Sequence, residues 1–117
     1  TPMVALSRNV GSKHAMEILL TGDMIPADRA AEMGLINRTA AVEDLRDAVM
    51  ELARKIASKS SMTLATGKGA FYAQRDMTLS EAYDYATQVM VENMLARDAE
   101  EGIGAFIAKR PPVWLDA

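Results

Sequence analysis

The chain of 117 residues has no cysteine and only one histidine, His14. Without cysteine there is no disulfide framework, no thiolate zinc site and no thiol nucleophile. With one histidine, neither a multi-histidine metal site nor a two-histidine catalytic pair can form. There is no excess of positive charge: thirteen Lys+Arg stand against sixteen Asp+Glu, for a net charge of −3. That balance argues against bulk binding of nucleic acid. Long apolar runs are missing too, and stretches such as Ile18-Leu19-Leu20 are far too short to cross a bilayer. The start, Thr1-Pro2, has neither an initiator Met nor the charged and apolar regions of a signal peptide. It reads as internal, as if an N-terminal portion had been removed. No G-x-S-x-G elbow, P-loop or G-x-G-x-x-G fingerprint occurs.

What is present is ordinary globular composition, 50% apolar and 25% charged. A chain of this length forms one domain, burying roughly 65% of its unfolded surface. Its periodicity is helical almost throughout. The first segment runs from about Ser12 to Thr21 and stops at Gly22. The second runs from about Ala27 to Met33, between Pro26 and Gly34. Leu35 to Arg38 form a short apolar linker, read as extended.

The third segment is the most regular. Val42, Leu45, Val49, Leu52 and Ile56 recur at 3-4-3-4 spacing and predict one buried stripe. Glu43, Asp44, Asp47 and Glu51 come early, and Arg54, Lys55 and Lys59 late, in the order that suits the helix dipole. Ser60-Ser61 ends it and caps the next.

The fourth segment, about Met62 to Gln74, carries Gly67 and Gly69. Each glycine weakens a helix by roughly 1 kcal/mol relative to Ala, and close packing against another backbone is one candidate reason for placing them there. Gly67-Lys68-Gly69 is no phosphate loop, because its surroundings are helical. Thr78-Leu79-Ser80-Glu81 has the capping-box pattern and opens a fifth segment running to Met94. Asp98-Ala99-Glu100-Glu101 reads as a second capping start, for a last helix ending at Lys109-Arg110. The apolar tail Val113-Trp114-Leu115 requires something to rest on.

Six short helices and no clear strand make an all-α fold. Val89, Met90, Val91 and Met94 cover much of the fifth helix. That is more apolar surface than one such domain readily buries alone, so a partner surface is expected, and methionines suit adaptable interfaces; the alternative for any single Met is ordinary core packing.

Little chemistry is assembled in these residues. His14 has no partner signal, and most carboxylates read as caps or solvated charges. One cluster stands out at the end of the last helix: Phe106, Lys109 and Arg110. A ring and two cations can stack a purine and pair with a phosphate. The structural alternative is Phe106 in the core, with both cations facing the helix dipole.

Ala5-Leu6-Ser7-Arg8-Asn9-Val10-Gly11, Ala15-Met16-Glu17-Ile18-Leu19-Leu20-Thr21-Gly22-Asp23 and Ala30-x-x-Met33-Gly34-Leu35-Ile36-Asn37-Arg38 are ordered motifs that resemble the enoyl-CoA hydratase/isomerase (crotonase) family. Arg97-Asp98-x-x-Glu101-Gly102-Ile103-x-Ala105-Phe106-x-x-Lys109-Arg110-Pro111 continues the likeness. Gly67-Lys68-x-x-Phe71-Tyr72-x-Gln74 and Pro112-Val113-Trp114 look closest to its enoyl-CoA hydratase domain-containing protein 3 branch.

The resemblance covers nearly the whole chain and is to the family's C-terminal part. It implies the helical trimerisation domain, residues 1–117, of a crotonase-like α/β enzyme. The family's N-terminal spiral of β-β-α units, with the oxyanion hole and the acid/base residues, would precede Thr1. Glu17 and Glu101 fall on motif positions without a transferred catalytic role. Phe106 and Lys109 match positions where a neighbouring subunit closes over the adenine and phosphate of coenzyme A.

The resemblance therefore implies an acyl-CoA thioester as substrate, with coenzyme A entering as part of it. No prosthetic group, metal, nucleic acid or membrane is expected. A homo-oligomer, either a trimer or a dimer of trimers, is. A cytoplasmic setting is expected, or a mitochondrial one in a eukaryote. The reaction implied is syn hydration of 2-enoyl-CoA, with this chain alone inactive. The alternatives are an isomerase, a thioester hydrolase or an inactive relative on the same scaffold, and a stand-alone helical oligomerisation module.

Overall fold

The computed structural model describes residues 2–116, and these form seven α-helices with no strand among them. They are α1 (Pro2–Asn9), α2 (Ser12–Thr21), α3 (Ala27–Glu32), α4 (Leu45–Ala57), α5 (Ser61–Gln74), α6 (Leu79–Met94) and α7 (Arg97–Ile107). The all-helical expectation holds, but the count is seven rather than six. The extra helix is α1. It is eight residues long and packs on α2, and about two turns are too short a window to establish a helical period. Among the described residues no helix is long and apolar enough to cross a membrane.

The residues divide into two compact units, one up to Val49 and one from Met50 onward. In the first, α1 packs against α2, and the buried side chains are Val10, Ala15 and Ala30. Glycines end the helices as expected. Gly22 caps α2 at φ 67° and donates its N–H to the Ile18 carbonyl. Gly34 follows α3 at φ 80°, donating to Ala31 O while Leu35 N–H reaches Ala30 O. That pair of bonds is the Schellman closure of a helix. Residues 35–37 are bends rather than extended chain, because the closure turns them back on α3.

The second unit holds α5, α6 and α7, with α5 packed on α6 and α6 on α7. Ser60 caps α5, its hydroxyl accepting Thr63 N–H at 3.1 Å, and it is itself buried. Thr78 and Glu81 form the full capping box of α6. The start of α7 differs from expectation. Its N-cap is Ala96, with no side-chain cap. Asp98 lies one residue inside the helix, only 2% exposed, and its carboxylate serves the C-terminal tail instead. It accepts Leu115 N–H at 2.7 Å and Asp116 N–H at 3.1 Å.

Two further expectations fail for a shared reason. The α4 stripe has the right spacing, but Leu45, Val49, Leu52 and Ile56 are exposed, and Val42 lies before the helix. A Cβ placed on Gly67 or Gly69 would likewise meet nothing within 4 Å, so no backbone packs there. Spacing reports that a face is apolar; it does not supply the surface that covers it.

Replacing Asp98 by Ala leaves two tail N–H groups without their charged acceptor. The expected loss is about 2–3 kcal/mol of unfolding free energy in urea. An unchanged midpoint and slope would show that the tail is not held this way.

Candidate functional site at the end of α7

Besides the bonds to Asp98, the tail is built into the second unit through Trp114, Asp116 and the N–H of Val113. Trp114 Nε1 donates to the Ser58 carbonyl, just past α4, at 2.8 Å. Its ring lies against Gly102, where an added Cβ would come within 3.3 Å of it. The Asp116 carboxylate accepts Ser61 N–H at 2.7 Å, at the start of α5. Hydrogen bonding from Ser61 holds the Asp116 carboxyl below the usual range. A carboxylate at a helix N-terminus also meets the positive end of the dipole. The tail expected to need support is therefore supported, although Val113 and Leu115 keep their side chains exposed.

Glu101 and Arg110 form the polar centre of this arrangement. The guanidinium reaches both carboxylate oxygens, at 2.6 and 2.8 Å. Glu101 Oε1 also accepts Val113 N–H at 2.7 Å. The Arg110 hydrogen bonds, then that from Val113, hold the Glu101 carboxyl down at about 2. The same pairing raises Arg110. A forked Arg–carboxylate pair fixes direction as well as charge.

The α7 helix closes on an unusual residue. Lys109 N–H donates to Phe106 O and Arg110 N–H to Ala105 O, the Schellman pattern again. The left-handed position that Gly34 occupies after α3 is taken here by Lys109, at φ 52°. For a residue with a Cβ that conformation costs about 1–2 kcal/mol. Backbone strain of this kind persists where the surroundings over-determine it, and it clusters at functional sites.

The structure thus separates the three residues singled out in the sequence. Phe106 is 83% exposed, so the described residues supply no core around it. Ile107 beside it is exposed as well. Lys109 is exposed and makes no ion pair with the described residues. Arg110 is committed to Glu101. One ring and one available cation remain, rather than a ring and two cations.

Asp98, Glu101 and Trp114 were not recognised as the parts that build this end of the molecule. Their i, i+3 spacing puts both carboxylates on one face of α7, which was the available signal. His14 is on α2, 3.9 Å from Glu17. Lys68 lies inside α5. Among the described residues no group of three or more metal-ligating side chains comes together.

The chain was compared with known proteins. The family model described as enoyl-CoA hydratase/isomerase matches residues 2–117. The rat enoyl-CoA hydratase domain-containing protein 3, mitochondrial, is 47% identical over 114 residues. The match covers 97% of this chain and 38% of that protein. The mitochondrial enoyl-CoA hydratase of Pongo abelii is 37% identical over 105 residues, covering 90% of this chain and 36% of that protein. A crystal structure of enoyl-CoA hydratase from Mycobacterium smegmatis superposes with a TM-score of 0.93 at 43% identity, covering 97% of this chain and 44% of that one. The human enoyl-coenzyme A hydratase domain-containing protein 3 gives 0.92 at 44% identity, covering 97% and 45%. The chain spans about two-fifths of the length of the curated relatives it matches.

The depressed Glu101 carboxyl sets a pH dependence. A folded-state pKa of about 2, against an ordinary 4.5, means that the clamp stabilises the tail fully above 4.5. That stabilisation fades as pH falls from 4.5 toward 2. Trp114 fluorescence followed over this window should report release of the tail, and Glu101→Gln should remove that component. Identical titrations for the two proteins would refute the assignment.

Proposed function

The chain belongs to the enoyl-CoA hydratase/isomerase family, and from that premise we propose that residues 1–117 are the helical C-terminal domain of a hydratase-type acyl-CoA enzyme. In this reading the whole protein adds water syn across the double bond of a 2-enoyl-CoA. The reaction passes through a thioester enolate, whose oxygen is stabilised by preorganised N–H donors. Those donors and the acid–base residues belong to the remainder of the protein. This domain assembles subunits into a trimer or a dimer of trimers and covers the acyl-CoA of a neighbour.

The observation that carries the reading is the turn closing α7. Exposed Phe106 offers a face for the adenine, and Lys109, three residues on and without an ion pair among the described residues, offers a cation for a phosphate. Coenzyme A enters as part of the substrate, and no prosthetic group is needed. The rat relative is named as mitochondrial, which supports that compartment for a eukaryotic source over a cytoplasmic one.

Isomerase, thioester hydrolase and inactive variants can share this helical part, since fold does not fix chemistry. A second reading, a helical oligomerisation module without chemistry, is favoured by the uncovered stripe on α4. Assay of the whole natural protein on 2-enoyl-CoA separates the two.

In the whole protein, Lys109→Ala should weaken binding of a CoA ester by about 1–3 kcal/mol, read by calorimetric titration. An unchanged Kd removes Lys109 from the site. The 117-residue chain alone should hydrate no 2-enoyl-CoA, and measurable turnover would overturn the division of labour proposed here.

A further inference from the structure

We propose that Glu101 is a positioning residue for the Lys109 cation, acting through Arg110. The inference rests on the reading of Lys109 given above and adds the device that holds it. Lys109 sits between two fixed points. On one side its N–H is tied to Phe106 O, and the next N–H to Ala105 O, on a residue only 1% exposed. On the other side Arg110, just past the end of α7, is forked onto Glu101, nine residues back within that helix.

Glu101 also accepts Val113 N–H, so one carboxylate fixes the chain before and after Pro111-Pro112. A left-handed lysine is not a conformation the backbone adopts unaided. The fork supplies the constraint that the missing glycine would otherwise relieve.

The arrangement has a consequence for recognition. Arg110 has its guanidinium occupied by the Glu101 carboxylate of α7, so it is not a second ligand for a phosphate. Its role is to hold the turn. A positioned cation counts for more than a mobile one, because less freedom is lost on binding. Glu101 and Arg110 therefore belong to the nucleotide end of the CoA site without touching the ligand.

The test uses the whole natural protein and two probes, butyryl-CoA and butyryl-pantetheine, which lacks the nucleotide. Glu101→Gln should weaken butyryl-CoA about tenfold, the size of one lost charge-assisted contact. Butyryl-pantetheine should weaken by less than about twofold, because binding energy is lost only where the nucleotide was held. Lys109→Gly keeps the turn, which glycine favours, and removes the cation. It should show the same selectivity between the probes. Arg110→Lys, which keeps the charge but cannot fork, serves where Glu101→Gln does not fold, and it should follow the same pattern.

If the Glu101 or Arg110 variant weakens both probes equally, the clamp is merely structural and the proposal is overturned. If Lys109→Gly weakens butyryl-CoA while the clamp variants do not, the positioning role alone is overturned. If Lys109→Gly changes neither probe, the reading of Lys109 fails first and the positioning role with it.

Discussion

A tail without regular structure must still find acceptors for its backbone N–H groups, and here it finds carboxylates on α7. Asp98 takes Leu115 and Asp116, and Glu101 takes Val113 while gripping Arg110. Trp114 and Asp116 then carry the tail to the end of α4 and the start of α5. In the second unit this polar lacing links segments whose apolar contacts are sparse. Of the tail's apolar side chains, Trp114 is half-buried while Val113 and Leu115 stay exposed. Its attachment is mainly a matter of backbone groups meeting buried or half-buried carboxylates.

The apolar side of the balance shows the opposite condition. The buried hydrophobic residues are Val10, Ala15, Ala30 and Ala105, and three of these four are alanines. Larger apolar side chains remain exposed on α4, α6 and α7, among them Leu52, Ile56, Tyr83, Met90, Phe106 and Ile107. Apolar patches of that extent on a folded protein mark surfaces that other protein or ligand covers. The superposition on enoyl-CoA hydratase structures more than twice the chain's length fits that condition. The functional reading uses it: helices that cannot bury their own faces are suited to joining subunits and closing over a bound thioester.

Local signals in the residues translated directly. Gly22 and Gly34 ended helices in left-handed turns, Thr78 and Glu81 closed a capping box, and Ser60 capped α5, because each depends only on neighbours within a few positions. Helix α1 left no clear period because it is only eight residues long. Asp98 was misread for a related reason. An acidic residue beside a helix start looks like a cap, and the partner that claims it lies seventeen residues further on. At the candidate site, Phe106 and Lys109 were legible as residue types in a family motif. Their exposure, and the removal of Arg110 by Glu101, were not.

By itself the sequence determined the helical class, most helix ends, the family and the presence of a ring and cations around the end of α7, since all of these rest on short-range pattern and motif order. Only the tertiary structure decided which apolar faces stay uncovered, which cation is already paired and that Lys109 holds a left-handed turn. Those outcomes depend on residues brought together across the chain, where a carboxylate can choose between capping its own helix and holding a distant tail.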